Sequence, residues 1–379
     1  MKILMISTDR ALLGENVSTG DAVKRHIDYG QAVDKLDIIV FSQKGYKPRE
    51  LSDNVFCYPT NSRNRFFYIK NTMEIAQKLL EENEYNLIVC QDPFLAGLVG
   101  IKIKKRYNIK LLVHFHGDFW KNRYWLQENY LRFGLLMISR IVVQKADFIK
   151  VVSEGIKNKL LQAGVDENKI RVISTPIDLE KFKIPDNQIA DSIRKEFDGK
   201  KIILWAGKMR QEKNLVFLLK CFKKISASYI DVVLLLVGDG RDFDKITKVR
   251  LELGLKDRVK MIGHLNYNKL IDYFHASYIV VLPSRHESFG KVLVEAGMAG
   301  KPVVASRTTG AREIVQDGKT GFLVDINDKN GFIRKVLKLL GNDELAGQMG
   351  KRAYDEIIKK FDYKKNVKAI IRLWEEIVL

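Results

Sequence analysis

The sequence is poor in cysteine: Cys57, Cys90 and Cys221 stand far apart in a chain of 379 residues, each in apolar surroundings. Such spacing gives neither a disulfide framework nor a zinc pattern, and it predicts small core residues in a reducing compartment. Long hydrophobic runs are missing too. The nearest approach, GLLMISRIVV, is interrupted by Arg140 and falls short of a membrane-spanning helix. At the N-terminus, Asp9 and Arg10 cut off MKILMIS before a signal-peptide core is complete, so it reads as a buried first strand and the expected location is cytoplasmic. No repeat, low-complexity tract or coiled coil is evident. A composition 46% hydrophobic and 29% charged excludes disordered and collagen-like chains. Two nucleotide signatures are absent as well: GDGRDF fails the Gly-x-Gly-x-x-Gly pattern at Phe243, and there is no P-loop lysine motif.

What is present in excess is positive charge. The net charge is +19, weighted toward the residues after 180. Such a field favours polyanions, whether nucleic acid, an anionic membrane or a phosphorylated substrate, although a solvated basic surface has the same composition. The stretches RNRFFYIK (63–70) and FWKNRYWLQENYLRFGLL (119–136) mix aromatics with Lys and Arg, a combination that suits a membrane surface. No recognised nucleic-acid module accompanies them.

Short Val/Ile/Leu-rich runs alternate with segments of helical period, the mark of parallel sheets covered by helices. One series runs KILMIS (2–7), LDIIVFS (36–42), NLIVCQ (86–91), KLLVHFH (110–116), FIKVVS (148–153) and RVIS (171–174). A second runs KIILWAG (201–207), VVLLLVGDG (232–240), VKMIGH (259–264), YIVVLPS (278–284), KPVVAS (301–306) and GFLVD (321–325). Pro176, Pro185 and a polar run mark a linker between them. The fold class expected is α/β, with two doubly wound Rossmann-like domains, 1–176 and 177–361, whose strand ends face a central cleft. The amphipathic segment at about 362–379 forms a final helix.

Three strand-end loops carry the chemistry. In SRHESFGKVLVEAGMAG (284–300), Glu287 stands in a loop, Gly290 in a turn, and Glu295 inside a helix that begins at Lys291. Two such carboxylates can grip paired hydroxyls on either side of a helix N-terminus that favours an anion. An acidic capping loop followed by a solvated mid-helix glutamate has the same spacing. In WAGKMRQEKNL (205–215) the chain leaves its strand at Gly207 and offers Lys208, Arg210 and Lys213, placed to neutralise a diphosphate. In LLVHFHGDFW (111–120), His114 and His116 share one strand face. Without a third ligand they make a weak metal pair, and one functional histidine beside a structural one is favoured.

These elements, in this order, resemble the retaining glycosyltransferases of family 4, of the GT-B fold. The likeness is most specific in LPSRHESFGKVLVEAGMAGKPVVASRTTGAREIVQDGKTGFLV (282–324) and covers nearly the whole chain. It implies a metal-independent transferase acting on a nucleoside-diphosphate sugar and a glycan or lipid-linked acceptor in surface polysaccharide or glycolipid synthesis, with no cofactor, no nucleic acid and a peripheral contact with anionic membrane. It also implies a donor-binding second domain, an acceptor-binding first domain and a final helix that returns to the first. Carried over, Glu287 contacts the transferred sugar and Glu295 the ribose. The backbone of Ser288, Phe289, Gly290 and Lys291 meets phosphate and sugar. Lys208 and Lys213 hold the diphosphate, Gly207, Gly238 and Ile262 lie in the nucleotide-binding segments, and His116 lies near the reacting centre. His114 and Asp118 fall on the acceptor side. The glycine pair usual after the first strand is absent; Gly20 and Asp21 are the substitutes, with Arg25 as a further acceptor contact. Lys291 replaces a commonly apolar residue.

Two rival readings are weaker. Asp242-Phe243-Asp244 has the spacing of a metal-binding Asp-x-Asp, but it suits a helix N-terminus better, because the metal-dependent fold leaves the second strand series unexplained. The other is a basic membrane- or nucleic-acid-binding protein on the same scaffold without transferase activity.

Overall fold

The computed structural model describes residues 1–14, 22–127, 129–182 and 187–379. Gly20, Asp21 and Pro185 lie outside them. The chain divides into two compact units, Met1–Ile177 with Tyr363–Leu379, and Asp178–Asp362.

Among the described residues of the first unit, eight strands form one sheet: β1 Lys2–Ser7, β2 Lys35–Val40, β3 Arg49–Ser52, β4 Val55–Pro59, β5 Leu87–Cys90, β6 Lys110–Phe115, β7 Phe148–Val151 and β8 Ile170–Val172. Their order is β3-β4-β2-β1-β5-β6-β7-β8, and only β3 is antiparallel to its neighbour. The six apolar runs of the first half supply β1, β2 and β5 to β8. The β3–β4 pair escapes the apolar pattern because it ends the sheet: β3 has no fully buried residue, and β4 buries only alternate residues. An edge strand has one partner and needs no continuous apolar run.

The last helix, Tyr363–Val378, lays Val367, Ile370, Leu373, Trp374 and Ile377 into the core formed by β1, β2 and β5. Trp374 meets Tyr29 edge to face with ring centroids 5.2 Å apart. The Tyr363 hydroxyl donates to Asp28 at 2.5 Å, and Arg171 pairs with Glu376. The helical spacing of the apolar residues creates one sticky face, and burying it against the sheet stabilises the helix's return to the first unit.

The second unit is a six-stranded parallel sheet among its described residues: β9 Lys201–Ala206, β10 Val232–Val237, β11 Val259–Gly263, β12 Ile279–Leu282, β13 Val303–Ser306 and β14 Gly321–Val324, in the order β11-β10-β9-β12-β13-β14. All six follow the second apolar series. From β9 the chain moves out through β10 to β11, then returns to the other side of β9 with β12. The strand order therefore reverses between β9 and β12, and ligands of open α/β sheets bind outside the carboxyl ends of strands at such a reversal.

Candidate active site

The loops leaving β9 and β12 are the lysine loop and the glutamate loop of the sequence, and the fold stitches them together. Asn214, in the left-handed conformation, donates to the Pro283 carbonyl at 3.2 Å and to the Asn327 side chain at 3.1 Å. The Arg285 amide donates to the Glu212 carbonyl at 2.8 Å. Between these ties the Lys213 ammonium lies 2.5 Å from Glu287 Oε1, and the Ser284 hydroxyl donates to the same oxygen at 2.8 Å. The pair is sheltered, with 21% of the Lys213 side chain and 13% of Glu287 exposed. Lys208, five residues nearer β9 in the same loop, is exposed.

Beneath the glutamate loop, the Gly310 amide donates to the Glu287 carbonyl at 2.8 Å. A Cβ on Gly310 would lie 2.6 Å from Phe289 carbonyl atoms, so this close approach requires glycine. Gly290, at φ +86°, turns the chain into the helix Lys291–Met298. The Phe289 ring faces Phe361 edge-on at 5.5 Å. Glu295 is 3% exposed, and the Lys291 ammonium sits 3.4 Å from its Oε1 and 4.4 Å above the Tyr267 ring. Lys291 is thus committed through its side chain to the carboxylate one helical turn away, a role its position beside the turn did not announce.

A second glycine contact shapes the floor. Gly238, at φ +127°, follows β10, and a Cβ there would stand 1.9 Å from the Gly207 carbonyl oxygen. Its amide donates to the Gly263 carbonyl at 2.7 Å, tying the ends of β9, β10 and β11 together. Ile262, on β11, is half-buried beside this floor. The geometry therefore gathers Gly207, Lys208, Lys213, Gly238, Glu287, Ser288, Gly290 and Lys291 at the strand ends, with Glu295 one turn into the helix. Asp242 instead stands at the N-cap position of the helix Phe243–Glu252, without a side-chain capping hydrogen bond, and Asp244 lies in its first turn. No group of three His, Cys, Asp or Glu side chains that could hold a metal ion occurs among the described residues.

In the first unit, His114 and His116 sit at the carboxyl end of β6 with ring centroids 5.5 Å apart. They differ in kind. His114 is 2% exposed, and burial first, then the Lys150 charge, holds its pKa well below the ordinary imidazole range. His116 has an exposed ring and its Nε2 lies 3.1 Å from Gln91 Oε1, so it is the histidine able to meet a ligand. Asp118 is engaged elsewhere: both its oxygens lie 2.7 Å from the Lys159 ammonium, and it also holds Asn122. This partly buried pair ties the loop after β6 to the helix Glu154–Leu161. Arg25 lies in the helix Ala22–Gly30 and is half-buried. The aromatic segment after β6 divides in two. Phe119 and Trp125 pack at 5.2 Å in the interior, whereas Tyr130, Leu131, Phe133, Met137 and Ile141 are exposed.

Ser284, Asn214 and Gly310 were missed by sequence reasoning, although Ser284 and Asn214 border the motifs. Their signal is a polar or glycine residue at a strand end, which becomes specific only when the partner loop is known.

Comparison with known proteins agrees with this geometry. Residues 30–181 match the family described as Glycosyltransferase Family 4, and residues 186–356 match Glycosyl transferases group 1. The chain is 26% identical to glycosyltransferase MJ1178 of Methanocaldococcus jannaschii, over 100% of this chain and 99% of that protein. It is 28% identical to the capsular polysaccharide biosynthesis glycosyltransferase CapM of Staphylococcus aureus, over 65% of this chain and 64% of that protein. Among solved structures, Anabaena HepE in complex with UDP and glucose superposes with a TM-score of 0.79 at 19% identity, over 99% of this chain and 100% of that one. With both halves matched in order and the fold shared end to end, the chain belongs to glycosyltransferase family 4 and is a GT-B glycosyltransferase.

Proposed function

We propose that this glycosyltransferase transfers a sugar, with retention at the anomeric carbon and without a metal ion, from a nucleoside-diphosphate sugar to a hydroxyl of a glycan or lipid-linked acceptor in surface polysaccharide or glycolipid assembly. The observation that carries the reading is the Lys213–Glu287–Ser284 contact where the strand order reverses. Glu287 uses Oε1 for the protein and keeps Oε2 for sugar hydroxyls, while the Lys213 ammonium has further N–H donors for phosphate. Glu295, held by Lys291, takes the ribose hydroxyls. Gly290 lets a diphosphate approach the amides that open the helix Lys291–Met298.

Departure of the nucleoside diphosphate builds negative charge on phosphate. Lys208, Lys213 and the helix amides stabilise that charge, an arrangement that asks for no metal. The leaving phosphate accepts the proton of the incoming hydroxyl, which attacks the face it vacates. His116, exposed just past β6, positions sugar or acceptor hydroxyls. A nucleotide ligand is supported by HepE, whose complex contains UDP and glucose, and a surface-glycan setting by CapM.

The test is a thermal-shift screen of UDP-, GDP- and ADP-sugars, since a ligand stabilises according to its occupancy. One nucleotide class is expected to raise the midpoint, and Glu295→Ala to abolish the rise. No shift with any nucleotide, or an unchanged shift in Glu295→Ala, refutes the assignment. Transfer should persist in excess chelator.

Peripheral membrane contact has its own support. Tyr130 is 87% exposed and Phe133 65%; with Met137 and Ile141 they form one face of the helix Leu131–Lys145 and its N-terminal flank, beside the exposed Arg140. An apolar stripe edged by basic residues suits an anionic interface. Wild type should pellet with anionic vesicles at low salt and Phe133→Asp should not; equal pelleting of the two refutes this face.

A further inference from the structure

One face of the first sheet changes character along its strands. Leu112 on β6 belongs to the apolar core, and Phe148 on β7 packs against it. Two residues on toward the carboxyl ends, the same face carries His114 and Lys150, which stand opposite one another in the parallel register. His116 lies just past the end of β6, and the helix Ala22–Gly30 adds Arg25 and His26. Lys150 is 1% exposed, His114 2% and His26 1%.

This is an unusual place for charge. Lys150 has no ion pair or hydrogen bond among the described residues. The Nε2 atoms of His114 and His26 are buried without partners. Burial first, then Arg25, lowers the Lys150 pKa from 10.5 to about 7; on His114, after burial, Lys150 acts first, then His116, His26 and Arg25, all basic groups. A buried cation with no counterion costs stability, and buried polar groups are ordinarily satisfied. Among the described residues no anion faces this cluster, and an anionic ligand would be its missing partner.

We propose that the first unit binds a phosphate-class oxyanion of the acceptor against Lys150, with His114, His116 and Arg25 around it. The inference rests on the proposed function for calling the ligand an acceptor; the anion site itself does not. A phosphate, with more charge and more acceptor oxygens than a single carboxylate, matches this set of donors. His26 donates through Nδ1 to the Ala22 carbonyl 2.7 Å away, so in the neutral ring its Nε2 offers an acceptor to a hydroxyl of the same ligand.

The test uses the full chain and inorganic pyrophosphate, against sodium chloride of equal ionic strength and against malonate, in the presence of whichever nucleotide saturates the donor site. Pyrophosphate is expected to raise the unfolding midpoint. Lys150→Met should weaken that binding at least tenfold and Arg25→Gln about threefold, while the nucleotide-induced rise stays intact in both. Short-chain phosphatidic acid, compared with pyrophosphate, tells whether the phosphate arrives on a lipid or free. The proposal is overturned if Lys150→Met binds pyrophosphate like wild type, if malonate or chloride stabilises equally, or if the pyrophosphate effect is lost in Lys208→Met but kept in Lys150→Met. Should no nucleotide stabilise wild type, the donor assignment fails on its own, and the comparison of Lys150→Met with wild type still decides the anion site.

Discussion

Replacing Lys150 with methionine is expected to make the ligand-free protein more stable, by an amount that depends on pH. The side chains have similar length, so packing changes little, but the methionine carries no charge into a site that is 1% exposed. Burial lowers the lysine pKa from 10.5 to about 7 in the folded chain. At about 1.4 kcal/mol per pH unit, that gap sets an upper bound of about 5 kcal/mol on the penalty. The unfolded chain holds the proton more tightly, so this penalty is complete below pH 7, shrinks as pH rises from about 7, and vanishes above 10.5. Of the upper bound, about 2 kcal/mol remains at pH 9; relaxation around the ammonium reduces both values. The stability advantage of Lys150→Met should therefore be roughly 2–4 kcal/mol at pH 7 and about half that at pH 9. Urea unfolding followed by tryptophan fluorescence suits the measurement, because Trp120, Trp125 and Trp374 lie in the first unit and only Trp205 in the second. All other titrating groups are common to both proteins and cancel in the difference. A variant less stable than wild type, or an advantage that does not change between pH 7 and 9, would show that Lys150 is compensated and would refute the reasoning.

Two further substitutions probe the second unit. Gly238→Ala places a Cβ 1.9 Å from the Gly207 carbonyl oxygen at φ +127°, so it should cost about 2–5 kcal/mol by urea unfolding and weaken nucleotide binding; wild-type behaviour in both would exclude the close contact of the two strand ends. Lys213→Met leaves the sheltered Glu287 without its cation, and transfer activity should fall about 100- to 1000-fold, with Lys213→Arg recovering part of it. A Lys213→Met enzyme within threefold of wild type would remove the lysine from phosphate stabilisation.

Much of this was legible in the chain itself. Every strand of the second sheet follows an apolar run, because strands buried on both faces leave no freedom for polar residues. The glutamate loop, the lysine loop and the histidine pair were visible as polar residues directly after such runs. The β3–β4 edge was not, since an edge strand half in water needs no apolar run. Nor was Lys150, although a lysine inside FIKVVS is itself the signal: a charge in a strand that the sheet will bury.

What the sequence determined alone is the list of parts, two α/β units and three strand-end loops that carry the polar residues of the candidate site, because local periodicity and residue chemistry act over a few positions. Only the tertiary structure decided which parts meet. Lys213 and Glu287 are 74 residues apart, and strand order brings them within 2.5 Å. Lys291, a misplaced charge by position, proved to be the partner of Glu295 and to lie over Tyr267. Asp118, a ligand candidate by its loop, proved to be held by Lys159. Contact, burial and the absence of a counterion belong to the packed chain, since each depends on neighbours that sequence distance does not reveal.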